Sequence, residues 1–152
     1  MKEIPIVKLK TVRESSVPYG HDNLNEPANA ANLFRSLIDD SDREVFAVCA
    51  TDNKLRPVML HVIGVGGIDC CPYSVSNIFK TAILSNASSI FIAHNHPSGD
   101  VSPSDEDIST TKKVRAAGKV LGIELIDHII IGNNSGVYFS FRDSGKMEEC
   151  DD

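Results

Sequence analysis

Two histidines and a carboxylate, residue types that bind metal ions, stand close together in the second half of the chain. His94 and His96 follow residues 89–93, an apolar run that predicts a short buried strand. Because residues two apart in a strand project to the same side, both imidazoles should face one way. Asp107 falls in the first turns of the helix that the next residues predict. Two histidines and one carboxylate leave a fourth position for water, which is typical of a catalytic zinc site.

The same segment also allows a purely structural interpretation. Ser104 and Asp107 have the spacing of a capping box, and His-x-His can be a pair of loop histidines. However, Ser102 before Pro103 already predicts the helix start, with Asp105 as the partner of that cap. Ser104 and Asp107 are then free to point back at the histidines from one face of the helix. Asp107 would also lie near the apolar face, where an unpaired carboxylate is costly.

These residues form a pattern that resembles the core of the JAMM (MPN+ or JAB) metalloprotease motif: His-x-His, seven residues, Ser, two residues, Asp. The sequence around this pattern resembles the RadC branch of that superfamily, with His-Asn-His-Pro-Ser-Gly-Asp at 94–100 and Asp-His-Ile-Ile-Ile-Gly at 127–132. The resemblance runs from about Glu44 to Phe141. It implies a JAB/MPN fold of the α/β class, with a mixed, curved sheet flanked by helices and similar to the cytidine deaminases.

The resemblance also implies a chemistry, that of a zinc metallohydrolase that cleaves peptide or isopeptide bonds of an unidentified peptide or protein substrate. It assigns Zn²⁺ to the two histidines and Asp107. The family has a glutamate general base on an early strand, and Glu44 is the position that matches, although the residues alone do not favour it over Glu26. Ser104 would donate a hydrogen bond to the oxyanion of the tetrahedral intermediate.

Two other functions can be compared with the sequence, and the first of them is excluded. A zinc deaminase would need His-x-Glu and a downstream Pro-Cys-x-x-Cys, whereas Cys70 and Cys71 are adjacent and lie upstream of the histidines. A non-catalytic accessory factor in DNA repair or mobile-element biology is the alternative that the family's historical name suggests. The chain is too short for the N-terminal helix-hairpin-helix region of longer RadC proteins, which weakens the expectation of DNA binding.

The charge of the chain bears on nucleic-acid partners. A net charge of -6 argues against a large nonspecific nucleic-acid surface, which is normally basic. Lys112, Arg115 and Lys119 nevertheless form a basic stripe on the helix after the motif. This stripe predicts either an ordinary solvated face or a surface on which a partner docks.

Composition predicts an ordinary globular domain. The 152 residues are 41% hydrophobic and 24% charged, which is enough apolar material for one core. No apolar run approaches membrane-spanning length and residues 1–10 lack the apolar segment of a signal peptide, so we expect a cytoplasmic protein without a membrane partner. Cys49, Cys70, Cys71 and Cys150 show no C-x-x-C spacing and should be reduced thiols. The oligomeric state is open.

The remaining patterns divide the chain into an N-terminal extension (1–25), the RadC-like JAB domain (26–141) and a polar, acidic tail (142–152) that should fray. The extension has strand-like character over residues 4–12. Within the domain, helices are predicted from Pro27 and from about Ser74. A hairpin is predicted over 44–50 and 58–63 with its turn at 52–53, followed by a further turn at 64–67, and two strands are predicted over 123–131 and 137–141. His128 is either a structural histidine or a residue behind the zinc site.

Overall fold

The computed structural model describes residues 1–38, 41–67, 73–133 and 135–151. These residues form helices and strands that alternate along the chain without a strict repeat. The helices are α1 (Pro27–Ile38), α2 (Val75–Leu84), α3 (Asp105–Leu121) and α4 (Lys146–Glu149). The strands are β1 (Val45–Thr51), β2 (Pro57–Val65), β3 (Ser89–His96), β4 (Glu124–Gly132) and β5 (Tyr138–Ser140). The predicted hairpin is confirmed as β1 and β2, although β2 is longer and takes in Gly64.

The strands form one mixed sheet in the order β2-β1-β3-β4-β5. β1 is antiparallel to both β2 and β3, β4 is antiparallel to β5, and β3 is parallel to β4. A parallel pair needs a crossover connection, and α3 supplies it between β3 and β4. The mixed α/β architecture predicted from the sequence is therefore confirmed.

Helices cover both faces of the sheet, which explains why its central strands are apolar along their whole length. Every residue of β1 is buried. On one face Phe46 and Val48 pack with α2 and α3, and on the other Ala47 and Cys49 pack with α1. Because side chains alternate between the faces, this packing fixes which residues of β1 and β3 point towards α3.

The start of α3 differs from the sequence-based expectation. The N-cap is Ser104, not Ser102, and its capping-box partner is Asp107, not Asp105. The Asp100 carboxylate accepts a hydrogen bond from the backbone N–H of Ser102 at 2.9 Å, which holds Ser102 in a turn before the helix. The predicted cap was therefore wrong, and the capping-box interpretation of Ser104 and Asp107 was right.

The two ends of the chain also depart from expectation. Residues 1–20 have no regular secondary structure, and Ile4, Ile6 and Leu9 are exposed, so the predicted strand over 4–12 is not formed. The tail, in contrast, is not frayed in the part that the structure describes. It forms α4, and Met147 and Cys150 are buried in the core.

The basic stripe of α3 is partly neutralised by this tail. The Asp151 carboxylate accepts hydrogen bonds from Arg115 and from Lys119, the latter at 2.7 Å. These contacts hold the pKa of Asp151 below its ordinary value. Cys49 and Cys150 are buried free thiols, whereas Cys70 and Cys71 lie outside the described residues. Among the described helices, none has the length and apolar character needed to cross a membrane.

Candidate metal centre

The end of β3 carries both histidines to the face of the sheet that α3 covers. His94 stacks on Phe46 of β1 with ring centroids 6.0 Å apart, and its side chain is only 1% exposed. His96 is half-buried. The alternation that buries Phe46 thus places both imidazoles on one side, as the sequence predicts.

The first turn of α3 supplies the carboxylate. Oδ1 of Asp107 lies 3.1 Å from Nε2 of His94, and Oδ2 lies 3.2 Å from Nε2 of His96. The two Nε2 atoms are 3.1 Å apart. Among the described residues these three form the cluster of possible metal ligands, with their donor atoms within 4.8 Å of one another. The ligand set predicted from spacing is thus brought together in one place.

Asp107 serves the helix and the cluster at once. Its backbone N–H donates to the Ser104 hydroxyl at 3.1 Å, and its Oδ2 accepts from the backbone N–H of Ser104 at 2.9 Å. This capping box fixes the orientation of the carboxylate relative to the helix. A capping role and a ligand role are therefore compatible, although the sequence presents them as alternatives.

A chain of hydrogen bonds runs behind His94. The Thr111 hydroxyl donates to the backbone carbonyl of Asp107 at 2.7 Å, so its oxygen accepts from Nδ1 of His128, also at 2.7 Å. Burial lowers the pKa of His128 well below its ordinary value, which keeps that ring neutral. The unprotonated Nε2 of His128 then accepts from Nδ1 of His94 at 2.9 Å. His128 thus lies behind the candidate ligand His94, in agreement with the second of its two sequence-based interpretations.

The ring of His96 is also oriented by a hydrogen bond on its far side. Its Nδ1 donates to the backbone carbonyl of Asp100 at 2.6 Å. With Nδ1 as the hydrogen-bond donor on both rings, Nε2 is the nitrogen that each ring turns towards the Asp107 carboxylate. Two ring nitrogens and a carboxylate thus converge at hydrogen-bond distance, and either a proton shared with the carboxylate or a metal ion bound by all three groups satisfies these atoms. Nitrogen and oxygen ligands of this kind fit zinc.

The electrostatics agree with such a cluster. The hydrogen bond to Asp107 raises the pKa of His96 above its ordinary value, against the effect of burial. Burial alone would raise the pKa of Asp107, but the hydrogen bonds from His94 and His96 outweigh it and hold that pKa far below its ordinary range. Asp107 is therefore a carboxylate at any physiological pH.

Glu44 lies beside the cluster and is not one of its ligands. It directly precedes β1, is half-buried, and its backbone carbonyl accepts a hydrogen bond from the N–H of Gly66 at 2.7 Å. It is two residues from Phe46, whose register partner is His94, so the alternation of the strand directs Glu44 to the same face. Its negative charge raises the pKa of His96. Glu26, the other candidate base, precedes α1 on the opposite face of the sheet.

Ser104 lies at the open side of the site. Its side chain is exposed and its oxygen accepts from Asp107, which leaves the hydroxyl proton available. The cap and the predicted hydrogen bond to an oxyanion therefore use different parts of the same hydroxyl.

Two contributors to this arrangement were missed or left open in the sequence. Thr111 was not singled out, although it lies four residues after Asp107 and hence on the same helix face. Asn95, between the two histidines, is fully buried and makes its hydrogen bonds to the segment that carries Glu44. Hydrogen bonds between groups that are far apart in the sequence leave no pattern in residue spacing.

Comparison with known proteins places the chain in a family. A family model described as "RadC-like JAB domain" matches residues 24–146. A UPF0758 protein of Alkaliphilus metalliredigens is 37% identical over 127 residues, which cover 84% of this chain and 54% of the relative. A UPF0758 protein of Rubrobacter xylanophilus is 36% identical over 146 residues, 95% of this chain and 63% of the relative. A UPF0758 protein of Thermotoga maritima is 40% identical over 106 residues, which cover 70% of this chain and 47% of the relative.

The chain spans about half the length of most of these relatives. The matched region nevertheless contains the whole sheet and all three candidate ligands. The chain belongs to the RadC-like JAB domain family.

Proposed function

We propose that this protein is a zinc-dependent hydrolase that cleaves amide bonds of the peptide or isopeptide type. The observation that carries the proposal is the convergence of the Nε2 atoms of His94 and His96 on the Asp107 carboxylate, each at 3.1 to 3.2 Å. Hydrogen bonds on the far side of both rings direct their lone pairs into this space. A structural zinc site would have four protein ligands, whereas the described residues supply three.

His94, His96 and Asp107 would hold the ion. When bound, zinc lowers the pKa of water to about 7 and polarises a carbonyl oxygen. Glu44 would accept a proton from the attacking water and deliver it to the leaving nitrogen, because a carboxylate beside the site can act first as base and then as acid. The exposed Ser104 hydroxyl would donate to the oxyanion of the tetrahedral intermediate, a contribution of about 3 kcal/mol for donors of this kind.

Metal content is the first test. Purified protein should contain about one zinc per chain by elemental analysis, and Asp107→Ala should contain almost none. Peptide and isopeptide substrates should then be screened, with Glu44→Gln as the control that retains zinc and loses hydrolysis. A protein that takes up no zinc after reconstitution, or a Glu44→Gln variant that keeps full activity on a confirmed substrate, would contradict the proposal.

The same preparation distinguishes the accessory-factor alternative. A role on DNA requires binding at physiological ionic strength that weakens as salt increases. We expect no such binding, because the net charge is -6 and Asp151 pairs with Arg115 and Lys119 of the basic stripe. Salt-dependent binding of duplex or single-stranded DNA, together with inactivity on every amide substrate, would favour the alternative.

A further inference from the structure

The segment that carries Glu44 is held in place by the side chains of two asparagines. Asn95 of β3 is fully buried, and its Oδ1 accepts a hydrogen bond from the backbone N–H of Val45 at 2.7 Å. Its Nδ2 donates to the backbone carbonyl of Arg43 at 2.9 Å. A single side chain therefore fastens the residues directly before and directly after Glu44.

Asn133, which follows β4, extends this arrangement. Its Oδ1 accepts the second N–H of Asn95 at 3.1 Å, and its own Nδ2 donates to the backbone carbonyl of Ser41. The two amides thus hold the backbone at residues 41, 43 and 45, and the N–H of Gly66 holds the carbonyl of residue 44 from the side of β2. We refer to Asn95 and Asn133 together as the asparagine clamp.

The clamp occupies the point where two strands separate. The backbone pairing of β1 with β3 ends at Phe46 and His94. β3 continues to pair with β4 as far as His96 and Gly132, whereas β1 does not continue on the other side. Beyond Phe46 the amide of Asn95 takes the place of the missing backbone pair. Without it, nothing on the β3 side among the described contacts would fix the backbone around Glu44.

The placement of Asn95 ties the base to the ligands. It stands between His94 and His96, and because neighbours in a strand alternate, its side chain lies on the opposite face from both imidazoles. The backbone that presents the ligands therefore also sets the position of Glu44. A general base must lie within hydrogen-bond reach of the proton that it accepts, so an error in the position of this backbone would reduce catalysis directly.

From these contacts we infer that Asn95 and Asn133 are positioning residues for Glu44, which they hold at a fixed distance from the metal ligands. The inference rests on the proposed function, since it assigns Glu44 the role given there. It predicts that removing either amide displaces Glu44 without removing a ligand. Such a variant should bind metal normally and be a poor catalyst, with a reduced kcat and an unchanged KM on any confirmed substrate.

Cobalt(II) offers a test that needs no substrate. In the NMR spectrum of isotope-labelled protein loaded with Co²⁺, the paramagnetic ion shifts each resonance according to the position of its nucleus relative to the ion. The signals of the Glu44 side chain therefore report where that residue lies. In Asn95→Ala and Asn133→Ala, the paramagnetic shifts of Glu44 should fall by about twofold or more, or the Glu44 signals should split. The Co²⁺ affinity should stay within about threefold of that of the unaltered protein, because no ligand is touched. Amide exchange of Val45 should accelerate by about tenfold or more in Asn95→Ala.

Asn29→Ala is the matched control. Asn29 also donates from its side chain to a backbone carbonyl, that of Asn23, and none of its described hydrogen bonds reaches residues 41–45. It should leave the Glu44 shifts and the Val45 exchange rate unchanged. Asn133 lies after the end of β4 and not between the ligands, so Asn133→Ala keeps the test valid if Asn95→Ala does not fold.

The outcomes separate the two proposals. Unchanged Glu44 shifts in both variants would overturn the clamp, even if the protein proved to be a zinc hydrolase. Failure of the unaltered protein to bind Co²⁺ would contradict the metal site and with it the positioning role of the clamp. Loss of Co²⁺ binding in Asn133→Ala would also overturn the inference, because that residue would then support the ligands and not Glu44.

Discussion

Nδ1 of His94 lies 2.9 Å from Nε2 of His128, a ring that is completely buried and held neutral. His128 can accept this hydrogen bond because its own Nδ1 donates to Thr111, whose hydroxyl donates in turn to the carbonyl of Asp107. The orientation of the His94 ring is therefore set by a chain of hydrogen bonds that returns to the backbone of Asp107. Partners of this kind orient ligands and commonly change metal affinity by about 10 to 100-fold.

Thr111→Val should break this chain while preserving the shape of the side chain. His128 would lose its acceptor and could place its proton on Nε2, which would oppose Nδ1 of His94. We expect zinc affinity to fall by about 10-fold or more, and Thr111→Ser to retain it. Competition with a fluorescent chelator measures both. Thr110→Val, at the neighbouring buried threonine, is the control, and equal affinities for Thr111→Val and the unaltered protein would contradict the prediction.

The cap of α3 can be tested by stability. Ser104→Ala should lower the free energy of unfolding by about 1 kcal/mol, because the N–H of Asp107 loses its acceptor. Ser102→Ala should have almost no effect, since Ser102 lies outside the helix. Urea denaturation of the metal-free proteins gives both values. A larger loss for Ser102→Ala than for Ser104→Ala would restore the cap expected from sequence.

Zinc affinity should depend on pH. The hydrogen bond to Asp107 raises the pKa of His96 above its ordinary value, and a metal ion must displace that proton. Below the raised pKa, each unit of acidification should therefore weaken zinc binding by about tenfold, and above it the affinity should level off. In metal-free protein the raised pKa of His96 has the opposite effect, because protonation of this ring then stabilises the folded state. The folded state has the higher pKa, so its stabilisation is complete below about pH 6.5 and is lost as pH rises through the pKa of His96.

Chelator competition between roughly pH 5.5 and 8.5 tests this dependence. His61→Ala, at an exposed histidine on β2, should leave the slope unchanged. A flat profile across that range would show that no proton competes with the ion at His96.

Gly132 is the register partner of His96 and supports the loop beside it. A Cβ at this position would lie 2.9 Å from the carbonyl oxygen of Gly99 and 3.0 Å from Cγ1 of Val101. Gly132→Ala should push this loop away and pull the Asp100 carbonyl from Nδ1 of His96. We expect zinc affinity to fall by about 10-fold and the free energy of unfolding by about 1 to 3 kcal/mol.

Gly20→Ala is the matched control for this substitution, because its Cβ would have no heavy atom within 4 Å. It should leave both quantities unchanged. Calorimetry and chelator competition on the two variants measure the difference. Full zinc affinity in Gly132→Ala would mean that the loop does not hold His96.

The clustering of the three candidate ligands was predictable because it depends on local geometry. The two-residue spacing of His94 and His96 in a strand and the entry of Asp107 into a helix need no knowledge of distant contacts. The cap was mispredicted for a local reason as well, since Ser102 and Ser104 both precede a suitable acidic residue and only the turn made by Asp100 distinguishes them.

The supporting residues could not be settled in this way, and the sequence left two interpretations open for His128. His128 reaches His94 because β3 and β4 pair in parallel, with Ile92 opposite His128, and this register is a property of the folded sheet. Asn95 acts across 50 residues of sequence on Val45. The buried tail was missed because its polar composition outweighed Met147 and Cys150, the two residues that attach it to the core.

Since Asp107 takes part in the helix cap, its carboxylate is already in place before any ion arrives. The conformational entropy of ordering this ligand is lost when the chain folds and not when metal binds. An ion should therefore enter and leave without unfolding α3, in contrast to small zinc domains in which binding and folding are one event. A metal ion bound at this candidate site would then exchange within a scaffold that persists without it.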